Sequence, residues 1–426
     1  MSRVTLRVKE HYDEDIVIDF PEGWKVDVLK MNNHDAQALK KKEIDDALVH
    51  PIGTKSISEL AKGKRGRIAI VHDDLTRPTP AYQIVPSIID ELHEAGIHDS
   101  QIFFLAALGS HPAMTVEEFG RKIGFDTIQK YDIRNHVALD SRKYGTHNFV
   151  DKGFTNLGTP VTVNRAFAQA DLRIGISGLK KYGGGIGSGG GGKICMPGIA
   201  SLEAIAYNHT QMGYLRDRPR EGWSYWNFKS FRRDMQEFAR MAGLDFSINV
   251  VPNGRREAAG VFAGDLDDAF FAGVKSCYEA HSTKIPGQKY DVVLACSYPQ
   301  ADAEGLSWSE TADIIREGGT VVNVCLHTRG HYLTHFVDEV ARGALMKFLA
   351  QDKAKQWPIK EAGHIIILNN LLDMHERMQF DERVEFLGDW PSVLARLRKI
   401  HGDHASVAVF PIAVYQFNPK KHPLVL

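Results

Sequence analysis

The chain has 426 residues, of which 25% are charged and 43% hydrophobic, and its net charge is −1 at pH 7. This length corresponds to roughly two or three domains, and the near-neutral charge excludes a polycation that binds nucleic acid or an anionic membrane in bulk. No window approaches the ~18 apolar residues of a membrane-spanning helix.

Four cysteines, Cys195, Cys277, Cys296 and Cys325, lie far apart without a C-x-x-C pair. So few scattered cysteines form neither a disulfide framework nor a zinc site, and they are typical of a reducing compartment. The first residues alternate charged with apolar side chains and lack the apolar segment of a signal peptide. We therefore expect a cytoplasmic protein.

The predicted elements begin with a hairpin. Apolar and polar residues alternate over 4–8 and again over 16–20, which predicts two half-buried strands. An amphipathic helix is predicted over 34–49. No chemistry is evident in this part of the chain.

Three compact apolar strands then alternate with helices, at residues 68–71, 102–106 and 172–176. This alternation predicts an α/β fold with a mostly parallel sheet. Thr115 and Glu118 have the spacing of a capping box, which predicts the helix after the second strand. Because ligands bind beyond the carboxyl ends of such strands, we expect the polar loops after all three strands to meet at one site.

A second α/β region follows the best linker candidate, residues 282–289. We therefore divide the chain into an N-terminal cofactor-binding domain, 1–284, and a C-terminal domain, 285–426, with the active site in the cleft between them. Strands are predicted at 292–295, 320–324, 365–368 and 406–409. Helices are predicted at 265–281, at 311–317 with Gly318-Gly319 as its end, and at 333–351.

The loop after the strand at 68–71 combines three kinds of polar side chain at a helix start. Asp74, Thr76 and Arg77 supply a carboxylate, a hydroxyl and a guanidinium, with Leu75 among them and Pro78 after them. Arginine binds carboxylates and phosphates with two hydrogen bonds, and a helix N-terminus favours anions. The alternative is an Asp-Arg pair that only rigidifies the turn.

The next loop carries His111 between Ser110 and Pro112. Imidazole titrates near neutral pH and is the commonest general acid or base. A surface histidine without a role is the alternative.

The third strand leads into a glycine-rich segment, residues 183–192, that ends at Lys193. From Gly187 the spacing matches the first seven positions of the phosphate-binding G-x-x-x-x-G-K-[ST] loop, but Ile194 replaces the Mg²⁺-binding hydroxyl and Pro197 interrupts the expected helix. The segment is therefore predicted to contact a ligand closely without being an NTPase loop, a flexible linker being the alternative. Its lysine is a phosphate ligand, a covalent attachment point or a solvated side chain.

Two groups of histidines have helical spacing. His209 lies on the apolar face of a predicted helix, where a histidine is either a metal ligand or a buried core residue. His327, His331 and His335 are spaced to share a metal, but the acid of an H-E-x-x-H motif is absent, so we interpret this cluster as incidental.

Four motifs in this order resemble those of the nickel-dependent lactate racemase family, over residues 70–210. They are Asp74-Leu75-Thr76-Arg77-Pro78, Gly109-Ser110-His111-Pro112 with Thr115, the glycine run to Gly191-Gly192-Lys193 with Pro197-Gly198, and Asn208-His209. The resemblance implies a nickel-pincer nucleotide, pyridinium-3,5-bisthiocarboxylic acid mononucleotide, as cofactor. The two-domain layout agrees with the family over the whole chain.

The resemblance also implies roles for individual residues. The loop of Asp74 and Arg77 would hold the cofactor phosphate, Lys193 would be tethered to the cofactor, and His209 would coordinate nickel. His111 would be one of two acid/base histidines, taking the proton of the C2 hydroxyl of a 2-hydroxy acid while hydride passes to the cofactor and returns on the other face. A fixed electron sink and a soft sulfur and imidazole donor set make this chemistry reasonable for nickel.

The chain departs from the family pattern where the second acid/base histidine is expected, ten residues before the cofactor lysine. Gly183 stands there, and the preceding Lys180, Lys181 and Tyr182 are the candidates to replace it. The sequence does not choose among the three.

A second departure follows Tyr298-Pro299, where the family's Gln and Lys are not clearly present. The chain continues there as Gln300-Ala301-Asp302-Ala303-Glu304-Gly305-Leu306-Ser307-Trp308. Both departures favour a larger or more polar acid than lactate, with Asp302, Glu304 or Trp308 lining its pocket.

We therefore predict an isomerase that racemises or epimerises a 2-hydroxy acid and depends on cofactor-synthesis enzymes as partners. Nucleic-acid and membrane partners are not expected, and a homodimer is allowed for. A non-catalytic carrier of the cofactor is the first alternative, and a phosphate-loop nucleotide-binding protein is the second.

Overall fold

The computed structural model describes residues 2–9, 12–139, 148–182, 185–186, 189–216, 225–300, 308, 310–326, 357–371, 377 and 380–424. They form two compact units. The large unit is Ala36–Tyr278, and the small unit combines Met1–Asp35 with described residues between Glu279 and Pro423.

The N-terminal segment contributes strands β1 (Ser2–Val8), β2 (Glu14–Phe20) and β3 (Lys25–Val28). β1 and β2 pair antiparallel, with Val4 opposite Ile18, so the predicted hairpin is confirmed. Their alternating apolar side chains are buried on one face.

The large unit contains most of the described elements. Its strands are β4 (Ile68–Asp73), β5 (Ile102–Ala107), β6 (Asp132–Asn135), β7 (Phe149–Phe154), β8 (Pro160–Asn164), β9 (Leu172–Gly178), β10 (Lys181–Tyr182), β11 (Gly185–Ile186), β12 (Phe246–Pro252) and β13 (Ala258–Gly264). Its helices are α1 (Lys41–Val49), α2 (Ile57–Ala61), α3 (Ala81–Glu94), α4 (Val116–Ile123), α5 (Phe125–Lys130), α6 (Arg165–Ala168), α7 (Leu202–Arg216), α8 (Tyr225–Ala242) and α9 (Asp268–His281).

The main sheet of the large unit has the strand order β13-β12-β9-β4-β5-β6. All neighbours are parallel except β12 and β13. Every residue of β4 and β5 is buried, as expected of parallel strands with both faces covered. The chain order reverses at β4, which lies between β5 and β9, so the loops after these three strands leave the same edge of the sheet.

The small unit is built on a parallel sheet of order β17-β16-β15-β14-β18-β3. Its further strands are β14 (Tyr290–Cys296), β15 (Ile315–Val324), β16 (His364–Leu368), β17 (Glu385–Leu387) and β18 (Ser406–Phe410). Its described helices are α10 (Thr311–Ile314) and α11 (Trp390–His401). Both units therefore confirm the α/β class with mostly parallel sheets.

The first 35 residues belong to the small unit, although the predicted division assigned them to a domain of residues 1–284. β3 pairs with β18, and Val4 and Leu6 share a core with Val292 and Leu294. Their pairing partner lies at the other end of the chain, so local periodicity carries no information about it.

Two other predicted elements change in the structure. The helix predicted over 311–317 is wrong beyond Ile314. The next residue, Ile315, begins β15 and pairs with Tyr290 of β14. Gly318 and Gly319 lie within that strand and end no helix. The helix predicted over 34–49 begins only at Lys41.

The predicted linker at 282–289 is anchored at its start. Ser282 and Thr283 are buried, and they form isolated bridges to Phe417 and Met31. The helix predicted over 333–351 lies outside the described residues.

Candidate active site

The loops after β4, β5 and β9 meet at the carboxyl edge of the large sheet. The amide of Gly109 donates to the carbonyl of Gly198 at 2.8 Å, so the second loop contacts the segment that follows Lys193. The amide of Gly178, at the end of β9, donates to Asp73 Oδ2 at 3.2 Å. These contacts confirm that the three loops converge.

The first loop is folded around the carboxylate of Asp74. Asp74 Oδ1 accepts from the amide of Thr76 at 2.8 Å and from its hydroxyl at 2.5 Å, an arrangement typical of an aspartate-led turn. Arg77 Nη1 donates to the same hydroxyl oxygen at 3.1 Å. Leu75 is buried in the core of the large unit and anchors the loop to that core.

The second oxygen of Asp74 holds His111. Asp74 Oδ2 lies 2.5 Å from His111 Nδ1, and the two side chains are only 4% and 10% exposed. Because an ionised carboxylate can only accept, Nδ1 carries the proton, and the neutral ring has its lone pair on Nε2. His111 is therefore held in one orientation by Asp74 and is not a solvated loop residue. A general acid or base requires such a fixed orientation.

The electrostatics of this pair favour an ionised Asp74. Burial alone would raise the pKa of Asp74, but the charge and hydrogen bond of His111, with further contributions from Arg77 and Thr76, hold that pKa far below its usual range. An ionised carboxylate behind the ring holds the proton on Nδ1 and leaves Nε2 as the basic nitrogen of the neutral ring.

The described end of this segment, residues 189–192, is held by side-chain hydrogen bonds, unlike the flexible linker considered from the sequence. The amide of Gly191 donates to Asn249 Oδ1 at 2.7 Å, and that of Gly192 donates to Gln236 Oε1 at 2.5 Å. The guanidinium of Arg232 donates to the carbonyls of Gly190 and Gly189, at 2.9 and 3.0 Å.

The glycines of this segment are required by close packing. A Cβ on Gly192 would collide with the backbone carbonyl of Met235 on α8, and one on Gly191 would collide with Gln236 and Phe270. Gly190 and Gly191 also have positive φ, which glycine adopts without strain.

The same hydrogen bonds decide against a phosphate loop at this position. A phosphate-binding loop points its backbone amides at the ligand, whereas the amides of Gly191 and Gly192 are taken by side chains of this protein. Lys193 itself is half-buried in a short 3₁₀ turn, Gly191–Ile194.

His209 lies on α7, which begins after a side-chain cap from Ser201. Its Nδ1 lies 3.0 Å from the carbonyl of Ile205 and so carries the proton, which leaves the lone pair of the neutral ring on Nε2. The adjacent Asn208 is fully buried and donates to Asp234 on α8 at 2.5 Å. α8 therefore anchors both His209's helix and the segment before Lys193.

Three residues were predicted to replace the second acid/base histidine, and the side chain of only one of them, Lys180, is described. Lys180 is buried at 3% exposure. The backbone of Lys181 and Tyr182 forms β10, which pairs with β11, while Gly183 lies outside the described residues.

Several predicted residues of the C-terminal region fall outside the described part of the chain. These are Asp302, Glu304, His327, His331 and His335. Gln300, directly after Pro299, is described and fully buried.

Among the described residues, no three His, Cys, Asp or Glu side chains form a group that could hold a metal ion. The helices within the described ranges include none long and apolar enough to cross a membrane.

Sequence reasoning missed the polar side chains that hold these loops. Lys122, Gln236 and Asp234 lie on helices, where a polar residue at helical spacing normally predicts a solvated face. Asn249 lies inside strand β12. Its position in a mostly apolar strand is the one sequence signal that could have indicated its role.

Comparison with known proteins agrees with these motifs. The family model for the lactate racemase N-terminal domain matches residues 12–221. A lactate racemase from Lactiplantibacillus plantarum is 31% identical over 300 residues, which cover 68% of this chain and 67% of that protein. The chain belongs to the lactate racemase family. A second lactate racemase, from Thermoanaerobacterium thermosaccharolyticum, is 27% identical over 314 residues, covering 72% of this chain and 69% of that protein.

Solved structures show the lactate racemase fold over nearly the whole chain. The lactate racemase apoprotein from Thermoanaerobacterium thermosaccharolyticum superimposes with a TM-score of 0.67 at 21% identity, covering 97% of this chain and 99% of that one. A protein from Thermotoga maritima gives a TM-score of 0.62 at 17% identity, covering 91% and 99%. The family resemblance drawn from the motifs is confirmed, and the relatives support racemase activity in general.

Proposed function

We propose that this member of the lactate racemase family racemises or epimerises a 2-hydroxy acid by reversible hydride transfer, with a lysine-tethered nickel-pincer nucleotide as cofactor. The buried Asp74–His111 pair carries the proposal. It is an oriented acid/base group at the edge of the sheet, and its loop contacts the segment after Lys193.

The residues present fit the cofactor in two respects. His209 has its Nδ1 proton committed to the carbonyl of Ile205, so Nε2 has the lone pair that a nickel ligand needs. Lys193 follows backbone fixed by Asn249 and Gln236, so a covalent tether there starts from a defined position. When bound, the cofactor would supply the hydride acceptor.

In the proposed reaction His111 Nε2 takes the proton of the substrate's C2 hydroxyl as the C2 hydride departs. Asp74 keeps the ring in position, and a proton returns to the C2 oxygen when the keto acid is reduced on its other face. Because the keto acid and the hydride stay in one site, the transfer back to C2 is effectively intramolecular. This favours racemisation over release of the keto acid.

The hydrogen bonds of Asp74 sharpen its role. Both carboxylate oxygens already accept from Thr76 and His111, so Asp74 orients the base. We assign contact with the anionic group, the cofactor phosphate or the substrate carboxylate, to Arg77 with its planar guanidinium.

The substrate we propose is a 2-hydroxy acid larger or more polar than lactate. The support is the sequence departure at Gly183 and after Pro299. Lys180, Lys181 or Tyr182 would supply the second acid/base group on the opposite side of the substrate.

The test begins with co-expression of the chain and a cofactor-synthesis system. Intact mass and nickel content are measured, and single enantiomers of a panel of 2-hydroxy acids are then followed by chiral chromatography. We expect a mass adduct on Lys193, bound nickel and conversion of at least one acid. Unmodified Lys193 without nickel contradicts the proposal, whereas loaded protein inert on every acid favours a cofactor carrier.

His111→Ala separates the chemistry from cofactor loading. The variant should lose turnover by at least about 10²-fold, the typical contribution of a general acid or base, while it keeps the Lys193 adduct. His93→Ala, at an exposed histidine on α3, is the matched control. Loss of the adduct in His111→Ala would instead give His111 a structural role.

A further inference from the structure

A lysine is buried completely beneath the loop that holds Asp74. Lys122 lies on α4, and its side chain has 0% exposure. Lysine keeps its ammonium in water in almost all proteins, because moving an unpaired charge into the interior is strongly unfavourable. The position of Lys122 therefore requires an explanation.

The ammonium of Lys122 joins both sides of the loop. It lies 2.5 Å from Asp73 Oδ1, directly before Asp74, and donates to the carbonyl of Arg77 at 2.7 Å. Residues 74–77, which these two contacts enclose, include the polar side chains Asp74, Thr76 and Arg77.

The carboxylate of Asp73 extends the same network to two further elements. Its Oδ2 accepts from the hydroxyl of Thr79 at 2.5 Å and from the amide of Gly178 at 3.2 Å. Lys122 and Asp73 thus connect the start and end of the first loop to the end of β9 and to α4.

Stability alone does not explain this pair. Replacing a buried ion pair by apolar side chains of similar volume is often neutral or stabilising, because the desolvation cost offsets the attraction. Burial lowers the pKa of Lys122, and the nearby Asp73 only partly counteracts this. What the pair supplies is a fixed geometry for residues 74–77.

We propose that Lys122 is a positioning residue, which holds the loop so that Asp74 faces His111. The proposal rests on the proposed acid/base role of His111 for its effect on turnover. Its effect on the Asp74–His111 hydrogen bond is independent of any cofactor.

The experiment compares Lys122→Met with the double variant Asp73→Asn/Lys122→Met, in which no unpaired charge stays buried. Lys130→Met is the control, at an exposed lysine on α5. In the protein without cofactor, the Nδ1 proton of His111 is followed by ¹H–¹⁵N NMR. In the loaded protein, kcat and KM are measured separately.

We expect both Lys122 variants to lose or shift the His111 Nδ1 proton resonance. In the loaded protein kcat should fall about 10- to 100-fold, as for a small misplacement of a reacting group, while KM stays within about 3-fold. The control should match the wild type in both measurements.

The proposal is overturned if the folded double variant keeps both the resonance and kcat, or if it fails to fold, since Lys122 would then serve stability alone. A wild type inert on every acid contradicts the proposed function, and the NMR result then decides the role of Lys122 by itself.

Discussion

Replacing Asp74 by asparagine exchanges one carboxylate oxygen for an amide nitrogen and removes the negative charge beside His111. Asparagine has nearly the same shape, and its carbonyl oxygen can still accept from Thr76. Its amide nitrogen, however, would face His111 Nδ1 and donate to it. The proton of the neutral ring would then lie on Nε2, the nitrogen that must accept the substrate proton.

The burial and contacts of Asp74 determine how much kcat and the free energy of unfolding should fall in Asp74→Asn. The carboxylate lies 2.5 Å from His111 and is 4% exposed, so solvent does not replace the lost interaction. General acid/base catalysis contributes about 10²- to 10⁴-fold, so we expect Asp74→Asn to lower kcat by that factor. Loss of one charge-assisted hydrogen bond should lower the free energy of unfolding by about 1.5–3 kcal/mol.

The assay is racemisation by the loaded protein, followed by chiral chromatography, with urea unfolding of the same preparations. Asp132→Asn, at a half-exposed aspartate paired with Arg134, is the matched control. If Asp74→Asn keeps kcat within about 3-fold of the control, the reasoning about the Asp74–His111 pair is refuted.

Two further predictions concern the scaffold. Gln236→Leu should speed hydrogen exchange of the Gly192 amide and reduce formation of the proposed adduct at Lys193, while Arg233→Leu on the exposed face of α8 should do neither. An unchanged exchange rate would contradict a stable hydrogen bond between Gln236 and Gly192. Burial lowers the pKa of His72 and of His136 to about 4. Both stay neutral in the fold while the unfolded chain takes up protons below about pH 6.5, so stability should fall between about pH 6.5 and 4, by up to about 3 kcal/mol for each histidine. Urea titrations across this range check it, and a stability independent of pH would contradict it.

Much of the large sheet was predictable because its strands are short, continuous and apolar. β4, β5 and β9 lie where apolar runs predicted them, and the capping box at Thr115 begins α4 as expected. Parallel strands have their carboxyl ends at one edge of the sheet, so the convergence of the three loops could also be predicted.

The contacts that complete the site depend on distant parts of the chain. Nothing near Asp74 in the sequence indicates that its partner is His111, and Lys122 lies on a helix with Glu117 and Arg121, where a solvated face is the ordinary expectation. The sequence of the glycine segment likewise does not indicate that Gln236, forty-four positions after Gly192, accepts a hydrogen bond from the Gly192 amide.

The most direct test of the account is the fate of the C2 hydrogen. One enantiomer of an accepted 2-hydroxy acid is incubated with the loaded protein in D₂O, and the opposite enantiomer is analysed by mass spectrometry. Hydride transfer returns the same hydrogen to C2, while His111 exchanges only the hydroxyl proton, so we predict product without deuterium at C2. Deuterium at C2 would show that the hydrogen leaves as a proton, and would contradict the proposed mechanism.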